Sequence, residues 1–265
     1  MERLIGFEFR KLFRRPAFYV CMGITVLLTL LAALTSYFFL VFIMDIIPDS
    51  EFMGDALIEA GINGRAYLMN AVSNGNVITI LAVFIALFIC EDYTDGAAKN
   101  VIGRGFGRVE WVLARYITAF VAALILTAVA MLSGFAIATI IGGPGEGWNI
   151  GTVGLIGLQV LLILGYTAMF TFFSLLVRKA GGAIALNLFV PAVITAALTL
   201  ADTFIDSETF MLQDFWLGSI EGNYSLMVLT GDFEQEFFVT APITAVVYLG
   251  LFVALSCLIE HRRDV

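Results

Sequence analysis

Six stretches of this chain are long and apolar enough, or nearly so, to cross a bilayer, at roughly 17–44, 67–90, 111–142, 153–177, 183–201 and 237–259. No other feature limits its fold so severely. A crossing takes about 20 residues of helix. Lipid offers the backbone no hydrogen-bond partner, so each run must satisfy its own N–H and C=O groups as a helix. The runs lack the period-two alternation of barrel strands. Only 14% of residues are charged, against about 25% in a soluble domain. The expected fold is therefore an all-α integral membrane protein, with residues 1–265 forming one transmembrane domain. The second run is the least clean. Its strongest part is Val77 to Cys90, and it must borrow Tyr67 to Asn76 to reach spanning length.

The basic residues are sorted. Of the 14 lysines and arginines, 13 fall on one side of the proposed spans and only Arg65 on the other. By the positive-inside rule the basic side is cytoplasmic. That places both termini inside. Acids lean the other way, from Asp45 through Glu146 to Glu221 and Glu236. The net charge of -8 is thus a property of the outer face, and either repels anions or keeps two long loops soluble. The first run is too long for a signal peptide, whose apolar core is about 7–15 residues, and is read as an uncleaved span. Cys21, Cys90 and Cys257 form no C-x-x-C pair and read as packing residues.

Residues 3–15, RLIGFEFRKLFRR, carry helical periodicity. Ile5, Phe9, Leu12 and Phe13 fall on one side, and Arg10, Lys11, Arg14 and Arg15 on the other. Such a helix lies in the membrane interface, with lipid as its partner. The outer loop 45–66 has a helix signal between Ser50 and Gly61. The outer segment 202–236 reads as one or two short helices resting on the membrane surface. Residues 178–182 are short enough to make the fourth and fifth spans a tight hairpin, and Pro191 implies a kink in the fifth.

Chemistry is sparse. The middles of the spans hold no ionisable side chain, and polar residues such as Asn187 serve as helix-to-helix hydrogen-bond donors as readily as pathway groups. None of the three lysines precedes Ser or Thr, so the phosphate-binding G-x-x-x-x-G-K-[ST] loop is missing. This chain is expected to be no enzyme, to hold no cofactor and to bind no nucleic acid. If it moves a solute uphill, the energy enters from another subunit, which needs a docking element.

The stretch CEDYTDGAAKNVIGRGFGRVEW, residues 90–111, is the candidate. As a helix it places Tyr93, Ala97 and Val101 on one face and pairs Asp95 with Lys99 at i,i+4 on another. Gly103, Gly105 and Gly107 permit a sharp return into the membrane. It is either a solvated loop or a docking surface. Phe84, Phe88 and Phe189 offer aromatic surface to a hydrophobic solute, or else serve as lipid-facing or packing bulk.

These residues resemble the small ABC-2 type permeases, which have six spans and a motif after the second. That motif is an acidic pair, an aromatic, Gly-Thr-Ile-Lys-Asn, then Ser-Arg. Here it reads Glu91, Asp92, Tyr93, then Gly96-Ala97-Ala98-Lys99-Asn100, then Gly107-Arg108. SNGNVITILAVFIALFI before it and EFRKLFRRPAFY at the start are also similar. Ala97, Ala98 and Gly107 depart from the pattern, and Gly107 stands where the family has a capping serine. The resemblance implies two paired permease subunits, as a homodimer or with a sister permease. Each would dock on a separate ATP-binding subunit that holds ATP and Mg. It implies a connecting helix at 3–15 and a coupling helix at about 91–104, with Arg104 and Arg108 beside it. It further implies a second contact at 178–182 through Arg178 and Lys179. A pathway lined by the second and fifth spans and an extracellular lid at 202–236 also follow. Relatives export peptide antibiotics such as bacitracin and lantibiotics, so the implied cargo is hydrophobic or amphipathic. The alternative function is a non-transporting scaffold or sensor that recruits a cytoplasmic partner through the same loop.

Overall fold

The computed structural model describes residues 1–46, 63–72, 75–97, 101, 103–205, 211–230 and 237–262. These residues are almost wholly helical. In chain order the elements are α1 (Glu2–Arg14), α2 (Pro16–Ile46), α3 (Gly64–Asn70), α4 (Asn76–Thr94), α5 (Arg108–Gly142) and α6 (Ile150–Val177). There follow α7 (Ala180–Ile205), a 3-10 turn (Leu212–Phe215), α8 (Leu217–Thr230) and α9 (Phe237–Arg262). Six of them, α2, α4, α5, α6, α7 and α9, are long and apolar enough to span a membrane. The chain is a multi-pass membrane protein. The helix expected between Ser50 and Gly61 lies outside the described residues.

α1 and the end of α9 lie at one end of the bundle, called here the near face; residues 63–72 and 143–149 lie toward the other, the far face. α4 and α6 form the centre. α4 packs on α2, α5, α6 and α7, and α6 packs on α4, α5, α7 and α9. α7 and α9 keep most of their surface outside the protein. Arg178 and Lys179 alone connect α6 to α7, which gives the tight hairpin that the short loop demanded. α7 continues through Pro191.

The second run departs from expectation. It is not one helix that borrows Tyr67–Asn76. Instead α3 ends at Asn70, and α4 starts afresh after Gly75, whose φ of 68° is left-handed. Breaking a helix inside a bundle strands backbone groups that lipid cannot satisfy. One side chain resolves this. Gln159 of α6, fully buried, accepts a hydrogen bond from Val72 N–H at 3.1 Å and donates to the Leu68 carbonyl at 3.2 Å. Its amide also donates to the Tyr224 hydroxyl at 2.9 Å, and Tyr224 donates to the Met69 carbonyl at 2.6 Å.

Tyr224 belongs to α8, and its position corrects a second expectation. The segment 202–236 does not merely rest on the surface. Trp216, Ile220, Tyr224 and Val228 recur every four residues and are all buried, so α8 is wedged among α3, α6, α7 and α9. Asp202 in the last turn of α7 caps the 3-10 turn that leads into α8, accepting from Leu212 N–H at 2.8 Å and Gln213 N–H at 3.0 Å.

Packing of α3 against α5 depends on a missing side chain. A Cβ on Gly134 would stand 2.5 Å from the Tyr67 ring and 3.2 Å from Thr29 Cγ2. The Tyr67 hydroxyl donates to the Thr29 carbonyl at 3.1 Å, so the ring cannot swing away freely. Gly134→Val is expected to cost about 1–3 kcal/mol through overpacking, seen as a lower unfolding temperature in detergent. Gly154→Val, where nothing lies within 4 Å of the new Cβ, is expected to leave that temperature unchanged.

Candidate functional site at the near face

The near ends of the helices meet in a group of buried charges. Asp92 sits in the last turn of α4 and is 3% exposed. Its carboxylate pairs with Lys11 of α1 and with Arg115 of α5, and lies 3.4 Å from Arg15 at the bend between α1 and α2. Arg115 is fully buried. Its guanidinium donates to the Ile89 carbonyl at 3.0 Å and lies over the Trp111 ring at 4.0 Å. Arg15 donates to the Phe88 carbonyl at 3.3 Å and pairs with Glu91. Cations collected at the C-terminal end of α4 complement its dipole. A buried carboxylate ringed by three cations is tolerated because each partner also has a hydrogen-bond acceptor or aromatic face nearby.

A further acid faces the group from α1. Glu8 is fully buried, with its carboxylate 3.9 Å from Lys11. Burial pushes its pKa up, and the charges of Arg115 and Arg15 pull it back. Burial likewise lowers the pKa of Arg15, against the charge of Glu91. The protein-facing stripe of α1 is thus Leu4, Glu8 and Leu12, at i, i+4 and i+8. This rotates the helix from the expected split. Lys11 and Arg15 turn inward with the acids, while Arg10 and Arg14 stay exposed. Ile5 and Phe9 are half-buried, and Phe13 is exposed.

Beside this group lies a second tie. Arg178, with φ 58°, is the only non-glycine residue with positive φ among the described residues. It caps the end of α6 and donates to both carboxylate oxygens of Glu260 on α9, at 2.9 and 3.0 Å. Tyr93 stands between the two groups. Its ring packs edge-on to Trp111 and beneath the Arg178 guanidinium, and its hydroxyl donates to Glu260 at 3.4 Å. The near ends of α1, α2, α4, α5, α6 and α9 are therefore joined by charge.

The expected docking residues divide accordingly. Asp92 is buried and paired, and Tyr93 and Arg178 are half-buried and paired with Glu260. The single helix that put Tyr93, Ala97 and Val101 on one face does not form. Gly96, with φ 69°, ends α4 just after Asp95, and Val101 packs against the core. Lys99 and Asn100 lie outside the described residues. Glu91, Asp95, Arg104 and Lys179 are exposed, while Gly96, Ala97, Val101 and Arg108 are half-buried. The glycine return holds: Gly105 has φ 87°. Gly107 stands at the N-cap of α5 in extended conformation, without a side-chain cap.

Glu8, Arg115 and Glu260 are the members that the sequence did not point to. An acid on the apolar stripe of α1 was the one available signal.

The expected pathway residues do not share a wall. Phe84 and Phe88 are core residues. They stack on each other at 5.7 Å, Phe18 touches Phe84 at 5.5 Å, and the Lys11 ammonium lies over Phe88 at 5.2 Å. Phe189 points out of the protein. Asn187 alone lines a cavity, between α4 and α7, with Tyr166 and Glu221.

Compared with known proteins, residues 29–265 match the family described as "Protein of unknown function (DUF2705)". The chain belongs to this family. No curated protein matches it. In this DUF2705 chain the matched region runs from the middle of α2 through α9. It includes Asp92, Arg115, Arg178 and Glu260, and leaves out α1 with Glu8 and Lys11.

Proposed function

We propose that this chain is the membrane-spanning permease subunit of an ATP-driven exporter in a bacterial plasma membrane, with both termini cytoplasmic. Its ATPase is a separate polypeptide. The observation that carries the reading is the near-face charge cluster, which fastens the α1–α2 bend and the ends of α4, α5, α6 and α9 behind one exposed segment. A partner that pushes on Asp95, Arg104 and Lys179 pushes on helices already locked together. Motion then passes to the bundle as a rigid-body shift rather than being lost in a loose loop. The resemblance of residues 90–111 to the ABC-2 permeases supports the same assignment, and with it we propose a second permease subunit that completes the pathway.

Co-expression with the candidate ATP-binding subunit tests this. The wild-type chain is expected to co-purify with it and to raise its ATP hydrolysis in proteoliposomes. The triple charge reversal Asp95→Lys, Arg104→Glu, Lys179→Glu is expected to lower both at least tenfold while leaving the chain folded. Unchanged assembly and hydrolysis would remove the docking assignment. Assembly without ATP-driven solute movement would favour the scaffold reading.

A further inference from the structure

The cavity lined by Asn187 and Glu221 has a volume of about 250 Å³ and opens between α4, α6, α7 and α8. Its walls divide by polarity. Ile78, Phe170, Leu188 and Pro191 supply an apolar side. The polar side is made of acceptors whose own protons are already committed. Thr79 donates to the Gly75 carbonyl at 2.9 Å, while Thr195 donates to the Pro191 carbonyl at 3.0 Å and already accepts from Trp216 Nε1 at 2.8 Å. Tyr166 gives its proton to Glu221 Oε2 at 3.2 Å. The Asn187 amide N–H₂ donates to the Ala82 carbonyl at 3.0 Å, while its Oδ1 is buried with no partner. Asn187 itself is 1% exposed. A buried acceptor without a donor is unfavourable, so this oxygen is a standing demand for an N–H or O–H.

Glu221 is the second demand. Among the described residues no cation touches it, and the sequence offers none nearby. Among the described residues Arg65 is the only basic residue away from the near face. Its guanidinium is engaged by the Glu146 carbonyl at 3.0 Å and Thr152 Oγ1 at 3.4 Å. The far-side segments are otherwise acidic, which attracts cations toward this end of the molecule. α4 begins beside the same cavity at Gly75, and a helix N-terminus favours the ionised carboxylate.

We propose that this cavity binds the ammonium group of an amphipathic amine, with Glu221 as counter-ion and Asn187 Oδ1 as second acceptor. An ammonium brings three donors and no acceptor, which matches a wall of acceptors. The apolar side takes the first carbons of the tail. This names a substrate class for the exporter reading, but it rests on this chain alone. Loss of ATPase co-purification would leave it standing, and its own failure would leave the permease reading standing.

The test uses the purified chain in phosphatidylcholine nanodiscs, with n-octylammonium as probe and calorimetric titration against empty discs. Octylammonium is expected to bind at least tenfold tighter than octanol, and octanoate not to bind. Glu221→Gln, which keeps an oxygen for Tyr166, is expected to weaken octylammonium to the level of octanol. Ala192→Phe, which fills the cavity without touching Glu221, is expected to abolish binding of both. Burial pushes the Glu221 pKa up to about 7, with the Tyr166 hydroxyl pulling it down. α8 is not among the spanning helices. The alkylammonium stays protonated in this range, as lysine does at about 10.4. Affinity is therefore expected to fall about tenfold between pH 8 and pH 6, as the carboxylate takes up a proton, and Glu221→Gln to flatten that dependence. Equal binding by folded Glu221→Gln, or tighter binding by octanoate, would overturn the proposal. Discs containing phosphatidylethanolamine distinguish the sources of the amine. Competition with the probe supports the site with a lipid headgroup as its ligand, and its absence supports the site with a free amphiphile.

Discussion

Asp92→Leu is expected to be the most damaging single change at the near face, lowering stability by about 3–5 kcal/mol. The reason is the asymmetry of what remains. Removing Asp92 leaves Lys11, Arg15 and Arg115 facing one another. Lys11 and Arg15 keep 15% and 13% of their side chains exposed, so they can swing toward water and carry their charge with them. Arg115 has no exposed surface and cannot. Arg115→Met should therefore be milder, because Asp92 retains two cations. The double variant Asp92→Leu/Arg115→Met should recover part of what Asp92→Leu loses, since the stranded charge is gone. Thermal unfolding followed by size exclusion in detergent ranks the three. If the loss in the double variant equals the sum of the two single losses, the two side chains are not coupled.

Gln159→Leu is the second large loss expected, for a different reason. The volume is nearly conserved, so packing changes little. What disappears is the side chain that serves Val72 N–H and the Leu68 carbonyl at the break between α3 and α4. Val72 N–H and the Leu68 carbonyl lose a partner, and so does the Tyr224 hydroxyl. Each stranded buried group costs about 1–3 kcal/mol, which adds to roughly 3–9 kcal/mol for the three if none finds a substitute. Gln159→Glu keeps an acceptor for Val72 but removes the donors, and should fall between the two. Hydrogen exchange localises the effect. Amides of 68–72 and of α8 should lose protection together, while those of the near ends of α4 and α5 keep theirs.

These two sites also mark where sequence reasoning stopped. The number of spans was legible, because the apolar runs and the sorting of Lys and Arg constrain one another. The break in the second run was not, although Asn70, Ser73, Asn74 and Gly75 stand together there. A spanning length had to be found, and polar residues were borrowed to reach it. The stripe Trp216, Ile220, Tyr224, Val228 is visible as a four-residue repeat, but periodicity alone does not tell a membrane surface from a protein groove. The basic face of α1 misled most. Charge is read as solvated by default, and Asp92, the acid that draws Lys11 inward, lies 81 residues further along. The acid that Glu8 places on the apolar stripe is a better guide than any of the arginines around it.

The pairing of Asp92 with Arg115 bears on how the chain is made. The two residues are 115 − 92 = 23 positions apart, a separation that a growing chain covers within seconds. Neither charge suits the membrane alone, and as a pair they cancel. α4 and α5 are thus best delivered to the bilayer as one helical hairpin rather than one after the other. Lys11 and Arg15, made much earlier, wait in water until that hairpin arrives. The expected order of assembly is therefore the hairpin first, closed by its own ion pair, and the amino-terminal helix second.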